Sequence, residues 1–166
     1  MNNQWNVGIV AFGFGEPSGA NPNANIGVLA LQCARRRAGT PIFTDRDVSP
    51  HLAGASGIVE EIDPKRIPTT YRLAKMAMER AKEYELNELQ VVATTCHMWR
   101  CLRDLRWAAH DCGVAVTLTP CPIRGFQYDS SATTPYTRTA WRWWTFEIAY
   151  RAASGMFPAW YKRTRA

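Results

Sequence analysis

A chain of 166 residues is the size of one compact domain, and 46% hydrophobic with 11% aromatic residues supplies an ample core and excludes intrinsic disorder. Twenty Lys and Arg against fourteen Asp and Glu give a net charge of +6, but outside Arg35-Arg36-Arg37 and Lys162-Arg163-Thr164-Arg165 the basic residues are scattered, so no specific nucleic-acid partner is expected. No run approaches the roughly 18 apolar residues that cross a bilayer, and the start lacks a secretory pattern, so no transmembrane segment and a cytoplasmic location are expected.

Val7-Gly8-Ile9-Val10-Ala11-Phe12 is a short apolar run that predicts a buried first strand, stopped by the loop Gly13-Phe14-Gly15-Glu16-Pro17-Ser18-Gly19. From Asn25 to Ala38 the residues Ile26, Leu29, Ala30, Cys33 and Ala34 recur at three and four, one face of a helix that Gly39 closes. Thr40 to Thr44 reads as a second strand ending in the polar Asp45-Arg46-Asp47; residues 48–57 read as a loop, and Gly57 to Ile62 as a brief strand or turn. Asp63-Pro64-Lys65-Arg66-Ile67-Pro68 is excluded from a helix interior because each proline removes a backbone donor. Thr69-Thr70 form a cap for a helix through Glu83, with Leu73, Met76, Ala77 and Arg80 at helical spacing.

Leu89 to Thr94 is a strand of the fully buried sort, and a helix from about His97 to Cys112 follows at once, ended by Gly113. Val114 to Leu118 predicts the last strand, Pro120 to Pro135 a long polar loop, and Tyr136 to Ala153 the last helix. One domain over residues 1–155 and a basic aromatic tail over 156–166 are expected. Strands and helices alternate throughout, which predicts a doubly wound, Rossmann-like α/β domain: a mainly parallel sheet with helices on both faces. In the last helix Trp141, Trp144 and Ile148 form a stripe read as core rather than as a base-stacking platform. With Trp143, Glu147 and Tyr150 on the adjoining face, the helix suits deep burial or a subunit contact in a homo-oligomer. The tail reads as a terminus that packs Trp160 and Tyr161 on the body, or as a contact for anionic lipid or protein.

Ligands of such sheets sit outside the carboxyl ends of the strands, where loops meet helix N-termini. This rule collects Gly13, Gly15, Thr44, Asp45, Thr94, Thr95, His97 and Thr119, with Thr69 and Thr70 from a helix start on the same side. Arg100 follows His97 by three residues and shares its helical face, so imidazole and guanidinium can converge on one anion: phosphate, carboxylate or nucleotide. Plainer readings stand beside these. Gly13-Phe14-Gly15 lacks the third glycine of a dinucleotide fingerprint and serves equally as a tight turn, and His97 serves equally as a cap of its own helix. Five cysteines, odd in number and lacking the two-residue spacing of zinc or redox motifs, read as reduced thiols. Cys96 and Cys101 around His97 match no common ligand template, so no metal is expected.

Val91-Val92-Ala93-Thr94-Thr95-Cys96-His97-Met98-Trp99-Arg100-Cys101 resembles the YdcF/SanA/ElyC-like family, a domain of unknown function whose members carry a strand, a Thr or Ser pair, His-Met, and an Arg three residues after the His. Pro68-Thr69-Thr70-Tyr71-Arg72-Leu73-Ala74 is similar to the family's helix start, and Trp143-Trp144 with Glu147 resembles its C-terminal helix. The chain departs from the family where Asn25 holds the place of an Arg, where Thr44-Asp45-Arg46 replaces Ser-Gly-Gly, and where Ala93 replaces a hydroxyl; Arg46 is then the candidate to supply the charge that Asn25 lacks. The resemblance implies a Rossmann-like fold, a link of some members to envelope metabolism, and S-adenosylmethionine or another nucleotide as ligand, as in the YdcF branch. The leading expectation is a small anionic or nucleotide-like ligand, with His97 as acid–base or phosphate-contacting group of a transferase or hydrolase. Arg100 is then the anion holder, Thr44, Thr69, Thr70 and Thr94 are donors, and Asp45 binds a ribose hydroxyl or orients His97. The alternative is a non-catalytic protein that binds a partner through its Trp-rich helix and basic tail.

Overall fold

The computed structural model describes residues 6–15, 22–62, 69–125, 128, 130 and 134–165. Strands β1 (Val7–Ala11), β2 (Ile42–Thr44), β3 (Val59–Glu61), β4 (Glu88–Thr94) and β5 (Thr117–Ile123) form one parallel sheet in the order β3-β2-β1-β4-β5. Helices α1 (Pro22–Arg35), α2 (Thr70–Glu83), α3 (Thr95–Cys112), α4 (Ala140–Met156) and α5 (Pro158–Arg165) surround it. This is the doubly wound α/β arrangement that the alternation of elements predicts. The order reverses between β1 and β4, which opens a crevice at their carboxyl ends.

Side-chain alternation along the strands divides the core in two. Val10 and Phe12, with Leu89, Val91 and Ala93 of β4, meet Leu73, Ala77 and Met78 of α2 and Cys101 and Leu105 of α3 on one face. Ile9, Ala11 and Val92 meet Ile26, Ala30 and Ala34 of α1 on the other. Because β1 is buried on both faces, it reads as a continuous apolar run rather than an alternating one.

Thr69 caps α2 by accepting the N–H of Arg72 at 3.2 Å, and Gly113 ends α3 in the left-handed conformation at φ 64°. Helix α1 starts and ends three residues earlier than its periodicity suggests, because Pro22 suits a first turn where no donor is needed. The brief segment after Gly57 is a strand, and the loop before it holds a 3-10 turn at Ser49–Leu52. The prolines of 63–68 lie outside the described residues, as do Glu16 to Gly19.

The last strand is the main correction. Val114 donates its N–H to Ala109 O at 2.9 Å and so belongs to the closure of α3; β5 starts at Thr117 and runs through Pro120 and Pro122, where a loop is predicted. Thr117 donates to Asn87 O at 2.8 Å, so odd-numbered residues point their N–H groups at β4. Pro120 and Pro122 therefore turn their missing donors to the outer edge, where a strand tolerates them.

Helix α4 differs as well. It starts at Ala140, the segment before it being a short 3-10 turn at Pro135–Thr137, and it ends at Met156. The stripe Trp141, Trp144 and Ile148 is real in its spacing and faces outward, with 76%, 43% and 62% of each residue exposed. Trp143, Glu147 and Ser154 are the buried set. Residues 158–165 form α5, which buries Tyr161 and leaves Trp160 exposed, so the predicted packing of the pair holds for one of the two.

Candidate functional site

Where β1 and β2 end, a cavity of about 250 Å³ opens, bounded by the β1 loop, Asp45 to Asp47, the start of α2, the first turns of α3, and Trp143 of α4. Among the residues proposed from sequence, Gly13, Gly15, Asp45, Arg46, Thr69, Thr70, His97 and Arg100 line it.

The others serve the framework. Thr44 is buried and donates its hydroxyl to Ala11 O at 3.0 Å, Thr95 donates to Ile123 O at 2.8 Å, and Thr94 is buried with its hydroxyl 3.5 Å from Cys96 Sγ. Asn25 is exposed on α1, away from the cavity lining. Thr119 lies inside β5 and donates to Glu88 Oε1 at 2.8 Å, because the strand begins later than predicted.

The β1 loop is shaped by two side chains. Asn23, in the first turn of α1, accepts the N–H of Phe14 at 2.8 Å and donates to Gly15 O at 2.6 Å. Asp45 accepts the N–H of Gly13 at 2.8 Å on one carboxylate oxygen and those of Asp47 and Val48 at 3.1 and 3.3 Å on the other. A Cβ at Gly13 would stand 2.7 Å from Asp45 Oδ1, so the close approach requires glycine there. Burial nevertheless pushes the Asp45 carboxyl up to about 6, the backbone N–H of Gly13 pulling the other way. The carboxylate is thus held by main chain and does not reach His97.

His97 is the third residue of α3. Its ring sits among Phe12, Phe14 and Trp143, with centroid distances of 6.5, 6.3 and 5.4 Å. Nε2 lies 3.5 Å from Thr70 Oγ1, and Nδ1 is buried with no hydrogen-bond partner among the described residues. Burial, then the charges of Arg100 and Arg103, hold the imidazole well below its usual range, so it is neutral. A side chain with a bare ring nitrogen inside the helix is not a cap, which removes the plainer reading of His97.

Arg100 is placed as the spacing predicts and occupied otherwise. Its Nε donates to Glu147 Oε2 at 3.0 Å and Nη2 bonds the same oxygen, while the guanidinium lies 5.1 Å from the Trp143 ring and 4.8 Å from that of Tyr150. Much of its charge is therefore met by a fully buried carboxylate of α4. The remaining lining charges are mixed, with Arg46 Nε 3.7 Å from Asp47 Oδ1. The cavity is polar and aromatic at once and not strongly cationic. Burial raises the thiols of Cys96 and Cys101, so neither is an activated nucleophile.

Sequence reasoning misses Asn23, Tyr136, Trp143 and the partner role of Glu147. A lone acid in a tryptophan-rich helix was the available signal for Glu147, since a buried charge demands a partner. No protein-family model matches the chain, and no curated protein matches it.

Proposed function

We propose that this protein binds a nucleoside-type ligand, a nucleotide or S-adenosylmethionine, in the cavity at the carboxyl ends of β1 and β2, as a YdcF-like transferase or hydrolase. The observation that carries this reading is Asp45: a carboxylate directly after the second strand, fixed by three backbone donors at the cavity wall, stands where open α/β sheets hold the hydroxyls of a ribose. The aromatic walls suit a flat base, and the start of α2 beside Thr69 and Thr70 offers backbone N–H groups to an anionic end. A volume of about 250 Å³ favours a single nucleoside or sugar phosphate over a dinucleotide. His97, neutral and with Nε2 turned to Thr70, is the group that accepts a proton in the reaction.

Differential scanning fluorimetry with adenosine, adenosine monophosphate, S-adenosylmethionine and sugar phosphates tests this. A ligand at a hundred times its Kd stabilises the fold by about 2.7 kcal/mol, which raises Tm by several degrees. The rise is expected in the parent protein and is expected to shrink in Asp45→Asn and His97→Ala. If no compound moves the parent protein, the reading is wrong.

A further inference from the structure

The outward face of α4 is apolar along its length. Trp141, Trp144, Ile148 and Met156 stand 76%, 43%, 62% and 65% exposed, opposite the buried Trp143, Glu147 and Ser154. An apolar groove of about 530 Å³, lined by Ala152, Met156, Phe157 and Trp160 among others, carries this face across to α5. On the other flank the Arg151 guanidinium bridges the rings of Trp144 and the exposed Trp99, at 5.7 and 4.3 Å. Four of the six tryptophans among the described residues, Trp99, Trp141, Trp144 and Trp160, are thus exposed on this side of the α3–α4–α5 layer.

Charge selects the occupant. From Thr134 to Arg165 the chain has six basic residues and one acid, Glu147, which is fully buried against Arg100 and Arg151. All formal charge that this segment presents outward is therefore positive, with Arg142 and Arg163 both exposed. A second copy docking face to face would bring two faces of the same positive sign together, which is repulsive. Tryptophan belongs by its physics at the boundary between hydrocarbon and charged headgroups, and basic residues beside it attract anionic lipid.

We propose that the α4–α5 face docks on an anionic lipid surface, with Trp141, Trp144 and Trp160 entering the headgroup boundary and Arg142 and Arg163 meeting lipid phosphates. The contact is peripheral: no helix of the described residues is long and apolar enough to cross a membrane. The groove between α4 and α5 receives acyl-chain segments displaced by the inserted rings.

The test is co-sedimentation of the full chain with vesicles of phosphatidylcholine alone and of phosphatidylcholine with phosphatidylglycerol, with tryptophan emission read in parallel. Binding to the anionic vesicles with a blue shift, weakening as salt rises, is expected. The triple variant Trp141→Ser/Trp144→Ser/Trp160→Ser is expected to lose the blue shift, and Arg142→Glu/Arg163→Glu to bind about tenfold or more weakly. Both change exposed positions, and circular dichroism checks that they fold. Absence of binding to anionic vesicles overturns the proposal, as does equal binding by all three proteins. Concentration-dependent dimerisation abolished by the tryptophan variant, with no vesicle binding, assigns the face to a second copy instead.

Discussion

The two faces of α4 invert the usual order of a surface helix. Inside are a carboxylate, a hydroxyl and one indole; outside are two indoles, Phe146, Ile148 and Met156. Glu147 can lie inside because Arg100 and Arg151 both reach it and the guanidinium of Arg100 is sandwiched between Trp143 and Tyr150. Burial follows from having a partner, not from hydropathy alone. The same contrast separates the cavity, where polar groups are enclosed, from the outer face, where apolar groups await cover.

The largest expected effect comes from breaking the inner face. Glu147→Ala leaves Arg100 enclosed without its carboxylate and is expected to cost about 3–5 kcal/mol; chemical denaturation measures it, and a loss under about 1 kcal/mol would show that the pair is solvated after all.

Asp45 sharpens the comparison through pH. Its carboxyl is raised to about 6 in the folded chain, against about 3.9 when unfolded, so the folded state holds the proton more tightly. The stability it contributes is complete below pH ~4 and is lost as pH rises through about 6, by up to about 3 kcal/mol. His97 runs the other way: its lowered value costs stability as pH falls below about 6.5. Denaturation of the parent protein and Asp45→Asn, compared at several values between pH 4 and 7, isolates the Asp45 contribution. The parent is expected to lose ground to the variant as pH rises, and a constant difference would mean that the three backbone donors outweigh burial.

The smallest effect belongs to the outer face. Trp144→Ser is expected to change stability by no more than about 0.5 kcal/mol, since the residue is already 43% exposed. A larger loss, read in the same denaturation series, would mean that its contact with Arg151 supports the fold.

The doubly wound sheet and the gathering of His97, Thr69, Thr70 and Asp45 are legible in the sequence because local rules govern them. Apolar runs set β1 and β4, a cap sets the start of α2, and the strand-end rule gathers the site. What sequence cannot show is which of two stripes on a helix faces in. Trp141, Trp144 and Ile148 have core spacing, and Trp143 with Glu147 wins the interior through Arg100, a residue 47 positions earlier than Glu147. The strand through Pro120 and Pro122 escapes notice for a similar reason, since only its place at the edge of the sheet makes two prolines harmless. Asn25 and Thr44 fail as cavity residues because one is exposed on α1 and the other turns its hydroxyl to Ala11 O, which periodicity does not fix.

Those two prolines also limit how copies of this protein can stick together. An extended segment from another molecule that approached β5 would find two alternate main-chain donors missing in succession, so fibril-like growth along that edge is barred. Self-association through strands is left to β3, which is three residues long and itself contains Glu60 and Glu61, a poor template for it.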